Sequence, residues 1–398
     1  MSVHWKTYNE NAEQFQLFAK TYSTDSNWII PIPRITVLVR YKIIDNLNNN
    51  IVSQGYCDGI SNINLDLSMT SGDCSLFINV DNTGNGGTIL NVWAKYLKLT
   101  YINFDLFPLL SELWMPFGSG NIMHVTGKLE NLKFLMIYHL KTSGLNFSHA
   151  VKLEHIRVYG GSTFSDTLDF SNSHLLRDFY VDNYYNDFNV LDHPNLVNLS
   201  LANNVDTNLL ATINNTNLPH LRTLTLYSIL YQDLDATTYD LSLLTKLTMK
   251  VKSVDGLNTL TNLTSLSLTI IQMTALDVNC PIVESVSITG ISLTSLIFSS
   301  ASIKYLDVRD LKLIAEIDLR PLVNLQKFNK YYDAFNVLST IKINNGLNTN
   351  ITQFRSLYAT RTVNVVVDNP NDANAEVAPY LPTVWVKNWD GHNQFNYI

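Results

Sequence analysis

One six-residue pattern, apolar-x-x-apolar-x-apolar, returns along most of the chain. It first appears in LLSELWM, with Leu110, Leu113 and Met115 as anchors, then in LKFLMI from Leu132, LEHIRV from Leu153 and LRDFYV from Leu176. It continues as LVNLSL from Leu196, LRTLTL from Leu221, LTKLTM from Leu244, LTSLSL from Leu263, VESVSI from Val283 and IKYLDV from Ile303. LQKFNK from Leu325 is a degraded final copy. Successive copies start from 19 residues apart (Leu244 to Leu263) to 25 apart (Leu196 to Leu221). The last two anchors alternate with polar positions, which marks a short strand with one buried face. One such strand cannot bury that face alone, so the copies are expected to stack into a parallel ladder over a shared core.

A second apolar pair recurs seven or eight residues before most copies, as in Leu145-Asn146-Phe147, Leu168-Asp169-Phe170, Phe188-Asn189-Val190, Leu276-Asp277-Val278 and Ile317-Asp318-Leu319. The outer residues are apolar and the middle one polar, so each coil is expected to carry a second extended segment on its other side. That leaves little room for a helix. Strands including Leu199–Leu201, Leu224–Leu226 and Leu266–Leu268 follow, with Leu199, Leu224, Leu247 and Leu266 in one buried stack.

The pattern resembles the leucine-rich-repeat family over residues 101–345, and in particular the short two-stranded repeats of bacterial surface and phage-encoded proteins. The resemblance implies a mainly β chain built as a leucine-rich-repeat-like parallel β-solenoid. One departure matters. The family's common form places Asn three residues after the last Leu, where it satisfies turn backbone groups. Here that position holds Leu140, Ile229, Ile271, Ile291 or Leu311, and Asn only at Asn204.

The flanks do not repeat. IPRITVLVRYKIID, the polar NLNNN and IVSQGY predict a hairpin, and INLDLSM, CSLFINVDNTGNGG and TILNVWAKYLKL predict further strands. Residues 28–100 are therefore expected to form an antiparallel β module that either caps the first coil, since solenoid ends expose apolar edges, or mediates assembly with other subunits. Residues 1–27 form an N-terminal arm with one short helix expected over Glu10 to Lys20. Residues 346–398 are expected to close the last coil, with Trp385 and Trp389 available as cover.

Charged residues make up 15 % of the chain and the net charge is −7. Such a surface is mostly uncharged and polar, and without a Lys/Arg cluster nucleic acid is not an expected partner. No run approaches the ~18 apolar residues that span a bilayer, and no export leader is visible, so membrane insertion is not expected. Cys57, Cys74 and Cys280 lack metal-finger spacing; Cys280 is expected as buried filler, and Cys57 and Cys74 as free thiols rather than a pair. There is no G-x-S-x-G, HExxH, P-loop or dinucleotide-binding motif, and the nine histidines are scattered. No catalytic residue, metal or cofactor is expected.

The outward face of the ladder can be placed. Its positions are Trp114, then Phe134, Met136 and Tyr138, then His155, Arg157 and Tyr159, then Asp178, Tyr180 and Asp182. Later copies put Ser265, Ser267, Thr269, Ser285, Ser287 and Thr289 there, a plain hydroxyl surface. Aromatic rings beside an Arg are the composition of an interface hot spot. Trp114, Phe134, Tyr138, His155, Arg157, Tyr159, Tyr180 and Asp182 are thus the expected binding face, unless the N-terminal module or neighbouring subunits bury it. The expected function is a non-enzymatic scaffold that contacts other proteins or a surface glycan. Its expected setting is a large assembly such as a phage virion. The alternatives are a surface or cytoplasmic bacterial protein-binding repeat protein, and more remotely a carbohydrate-active enzyme.

Overall fold

The computed structural model describes residues 17–22, 27–30, 39–45, 50–57, 63–66, 73–80, 89–91, 97–103, 110–115, 122–138, 141–143, 147–159, 163–164, 170–182, 193–202, 213–227, 232–331, 340–343, 353–357, 363–367 and 395–397. The chain divides into two units, Met1–Leu196 and Val197–Ile398. Each is mainly β and each builds a parallel ladder.

The first unit opens with strands β1 (Leu17–Tyr22), β2 (Asn27–Ile30), β3 (Val39–Asp45), β4 (Ile51–Cys57), β5 (Ile63–Asp66), β6 (Asp73–Val80), β7 (Ile89–Asn91) and β8 (Leu97–Asn103). Strands β3 and β4 form the expected hairpin, and β6 pairs antiparallel with β3 on its other edge. A separate antiparallel pair joins β2 and β5. The helix expected over Glu10–Lys20 is not formed at residues 17–20, and residues 10–16 lie outside the described residues. β1 instead lies between β6 and β8, antiparallel to both. Two ladders of backbone hydrogen bonds outweigh the weak local preference of so short a segment. Within β3, Val39 faces Cys57 while Asp45, six residues on, faces Cys74. At ~3.4 Å per residue this separates the two cysteines by roughly 20 Å, well beyond the ~7 Å limit for a bridge. They cannot pair within the chain.

The solenoid strands of this unit are β9 (Glu112–Met115), β10 (Ile122–Thr126), β11 (Phe134–Tyr138), β12 (Lys141–Ser143), β13 (His155–Tyr159), β14 (Thr163–Phe164) and β15 (Asp178–Asp182). The order β7-β9-β11-β13-β15 is one parallel ladder, with Leu90, Leu113, Leu135 and Ile156 in register, and Ile156 against Phe179. A second parallel ladder, β8-β10-β12-β14, uses the return segment of each coil. The antiparallel module is therefore an extension of this second ladder through β8. β7, which the flank pattern grouped with the module, belongs to the first. The return strands of this unit run upstream of the Leu-Asn-Phe type triplets; Phe147 and Phe170 are buried beyond them and stack at 4.8 Å.

In the second unit the strands are β16 (Asn198–Ala202), β17 (Thr223–Tyr227), β18 (Gln232–Asp235), β19 (Lys246–Asp255), β20 (Ser265–Ile270), β21 (Ala275–Val278), β22 (Ser285–Gly290), β23 (Ser295–Phe298), β24 (Tyr305–Arg309), β25 (Glu316–Asp318), β26 (Lys327–Tyr331), β27 (Thr340–Ile343), β28 (Gln353–Leu357), β29 (Val363–Val367) and β30 (Phe395–Tyr397). The first ladder runs β16-β17-β19-β20-β22-β24-β26-β28, all parallel. It carries one copy more than the repeat pattern showed, ITQFRSL, in which Phe354 faces Phe328. Return strands pair as β21-β23 and as β25-β27-β29-β30; here the expected triplet at Leu276 lies wholly in a strand and that at Ile317 up to Asp318. Described helix is confined to α1 (Ala236–Tyr239) and a 3-10 turn at Leu257–Thr259. Asp235 caps α1, accepting from the backbone N–H groups of Thr237 and Thr238, and these bonds with the two hydroxyls hold its carboxyl down at about 2.

The core is the stack of central anchors. Leu199, Leu224, Leu247, Leu266, Val286, Leu306 and Phe328 follow one another in register and none is more than 1 % exposed. Burying each contributes roughly 1.5–3 kcal/mol. In the copies from Leu132 to Leu325 a further buried anchor sits three residues before the first apolar position, at the start of the turn that closes onto it. The N–H of Leu153 donates to Ala150 O, that of Leu176 to Ser173 O, and that of Leu196 to His193 O. Three polar residues in this stack are satisfied by its own backbone. Ser173 Oγ donates to Ala150 O, His193 Nδ1 lies 3.2 Å from Ser173 O, and Ser300 Oγ donates to Cys280 O. Asn side chains do form a coil-to-coil series, but before the strand: Asn195, Asn262 and Asn324 donate to His174 O, Ser242 O and Ala301 O of the preceding coil.

Cys280 occupies the same stack, is 0 % exposed, and burial pushes its thiol from 9.0 to about 12. Alkylating reagents at pH 8 are expected to leave it unmodified in the native chain and to modify it after denaturation. The folded state holds this proton where the unfolded state releases it. The stability that burial lends is therefore present below about pH 9 and lost as pH rises toward about 12. Denaturant titrations across that window should show a shallower decline in Cys280→Ala than in the parent chain.

Candidate binding face of the first unit

Alternation along β11, β13 and β15 turns every second side chain out of the core. Leu135, Ile137, Ile156, Val158, Phe179 and Val181 point in and are at most 2 % exposed. The residues between them form the outward face. Parallel register places Phe134, His155 and Asp178 in one column and Met136, Arg157 and Tyr180 in the next. Trp114 continues the second column toward β9, and Tyr138 lies in register with Tyr159. The side chains of Trp114 and Tyr138 lie outside the described residues. Asp182 ends β15 and is half-buried.

Neighbouring coils bring these residues into contact although they are more than twenty positions apart in sequence. His155 Nδ1 donates to Asp178 Oδ2 at 2.5 Å, and the His155 ring lies 6.2 Å from that of Phe134. The Arg157 guanidinium carbon sits 5.9 Å from the Phe134 centroid, a cation–π geometry worth about 0.5–1 kcal/mol at an exposed site. Tyr159 and Tyr180 meet at 4.7 Å with ring planes 37° apart. Arg157 is exposed while Phe134, His155, Tyr159, Asp178 and Tyr180 are half-buried. The rings are thus held in place by one another and still offer surface. Met136 and Asp178 complete the face; both follow from alternation alone, but the tie between Asp178 and His155 required the register.

The chemistry of the face is mixed. It joins aromatic rings and one guanidinium with the carboxylates of Asp178 and Asp182, and Glu112 opposite Phe134. Among the described residues, no three His, Cys, Asp or Glu side chains are placed to hold a metal ion, and no helix is long and apolar enough to cross a membrane. No family model and no curated protein matches the chain. Two of the solved structures that match the chain do so at low similarity. The functional domain of InlJ from Listeria monocytogenes, which includes a cysteine ladder, aligns at 16 % identity and a TM-score of 0.41, covering 71 % of this chain and 69 % of that one. The internalin inlF from the same species aligns at 14 % identity and 0.36, covering 71 % and 82 %.

Proposed function

We propose that the chain is a non-enzymatic repeat scaffold whose outward face on β11, β13 and β15 docks a protein partner. The observation that carries this reading is the pairing of Tyr159 with Tyr180 at 4.7 Å beside the exposed Arg157. Tyr, Trp and Arg are the residue types that dominate protein interfaces when they stand together at the centre of a patch. Rings fixed by their neighbours lose little rotamer entropy on docking, which favours binding over a loose surface. The charge-poor composition supports a setting inside a large assembly, a phage virion being the expected case. Mass spectrometry of the purified particle tests that setting.

A photo-reactive residue at Tyr180 should cross-link the partner in source material, whereas one at Ser287 should not. Against the partner so identified, Tyr159→Ala and Trp114→Ala should each weaken binding by more than about 1 kcal/mol, with the melting temperature nearly unchanged. Loss of stability with binding intact would mean that the rings serve packing alone.

A further inference from the structure

A second face, independent of the first, lies on the ladder of the second unit. Strands β20 and β22 turn six hydroxyls outward: Ser265, Ser267 and Thr269, then Ser285, Ser287 and Thr289, in register pair by pair and all half-buried. Cations bracket them. On one side β19 carries Lys246 and Lys250; on the other, β24 and β26 carry Arg309 and Lys327. Lys246, Arg309 and Lys327 are exposed. Among the described residues, two carboxylates of these five strands reach the surface: Asp307, which accepts a hydrogen bond from Asn329 Nδ2 at 2.7 Å, and Asp255 at the far end of β19, five residues beyond Lys250. This face is cationic in a chain whose net charge is −7.

We propose that it binds an extended acidic glycan. Charge complementarity selects an anion, and the span from β19 to β24, three strand spacings or about 14 Å, selects an elongated one. Ser and Thr are poor protein hot-spot residues because they supply no apolar anchor. Hydroxyls that can both donate and accept do suit the hydroxyls of sugar rings, and the rings of an extended glycan succeed one another at close to the strand spacing. Tyr305 is 40 % exposed at the cationic end, with Lys327 Nζ 5.5 Å from its ring centroid. The part of the ring that the ammonium leaves uncovered can meet a sugar ring, and the ammonium over it a carboxylate.

The test uses the full chain with polygalacturonate, neutral dextran and poly-glutamate as probes. Polygalacturonate should bind with an affinity that falls as salt rises, and dextran should bind far more weakly. Replacing both Lys246→Gln and Lys327→Gln should lower polygalacturonate affinity about tenfold, while Lys128→Gln in the first unit should leave it unchanged. Ser267→Ala with Ser287→Ala should lower polygalacturonate affinity and leave the weaker poly-glutamate binding as it was. Absent polygalacturonate binding, or binding indifferent to the two lysines in variants that melt like the parent, overturns the proposal. Poly-glutamate bound as tightly and with the same dependence on the serines replaces the glycan with an acidic protein segment.

Discussion

Truncating Leu266 to alanine is expected to destabilise the chain by about 2–5 kcal/mol. Leu266 is 1 % exposed and lies between Leu247 on one strand and Val286 on the next, themselves 0 % and 1 % exposed. The lost methylenes account for part of that cost, and the void left between two coils for the rest. The neighbours cannot close it freely, because each is tied to its own coil by the ladder. The turn that precedes β20 repeats the constraint: the N–H groups of Thr264 and Ser265 both donate to Thr245 O of the coil before. In a one-dimensional stack the damage spreads through the interfaces on either side. Denaturant unfolding of Leu266→Ala should show an earlier midpoint. A midpoint equal to that of the parent chain would mean that Leu266 does not sit in the central stack.

The second large effect is expected at Gly256, on the turn between β19 and the 3-10 segment. Its φ is +72°, in the left-handed region, where an ordinary side chain costs roughly 1–2 kcal/mol. Space is also lacking. A Cβ there would stand 2.6 Å from Thr237 Cγ2 and 2.8 Å from the Thr237 backbone nitrogen. Thr237 is not free to withdraw, since its N–H and hydroxyl both donate to Asp235 Oδ1, at 3.0 and 2.5 Å. Overpacking adds about 1–3 kcal/mol, so Gly256→Ala should cost about 2–5 kcal/mol in all. Thermal unfolding checks this, and Thr237→Ala in the same chain should restore only part of the loss, because it removes the methyl contact and leaves the backbone contact. Full restoration would show that backbone conformation at Gly256 is not constrained.

The central anchors were legible because they are large, apolar and evenly placed; the stack from Leu199 to Leu266 follows from alternation together with the recurrence of the pattern. The turn stack was not, because Ser173, His193 and Ser300 look like surface residues until the carbonyls that satisfy them are seen. Only Cys280 hinted at it. In the first unit the ladder begins before residue 101, at β7, and in the second unit it runs past residue 345, through β28. In sequence, those copies carry Gly87 or Ser356 where the pattern asks for an apolar residue, too small to register in a hydrophobic pattern. β1 escaped notice for a different reason: its partner β6 is more than fifty residues away, and six residues of mixed polarity do not announce a strand. For the first face, alternation showed which residues point outward. It could not show which of them meet, since the contacts of Arg157 with Phe134 and of His155 with Asp178 depend on coil length. The cationic brackets of the second face were hidden likewise, because Lys246 and Arg309 are 63 residues apart and only three strands apart.

Both faces rest on one claim, that successive repeats stack as neighbouring parallel strands in a fixed register. Spin labels in pairs on the second unit measure this directly. With one label at Thr225 and the other at Ser287, Asp307 or Asn329, the strands separating them number three, four and five steps. At ~4.8 Å per step the backbone distances should be about 14, 19 and 24 Å, rising evenly although the sequence separations exceed sixty residues. Narrow distributions that lengthen by about one strand spacing per repeat are the predicted result. Distances that fail to increase from one repeat to the next, or that scatter broadly, would contradict the stacked ladder and both faces with it.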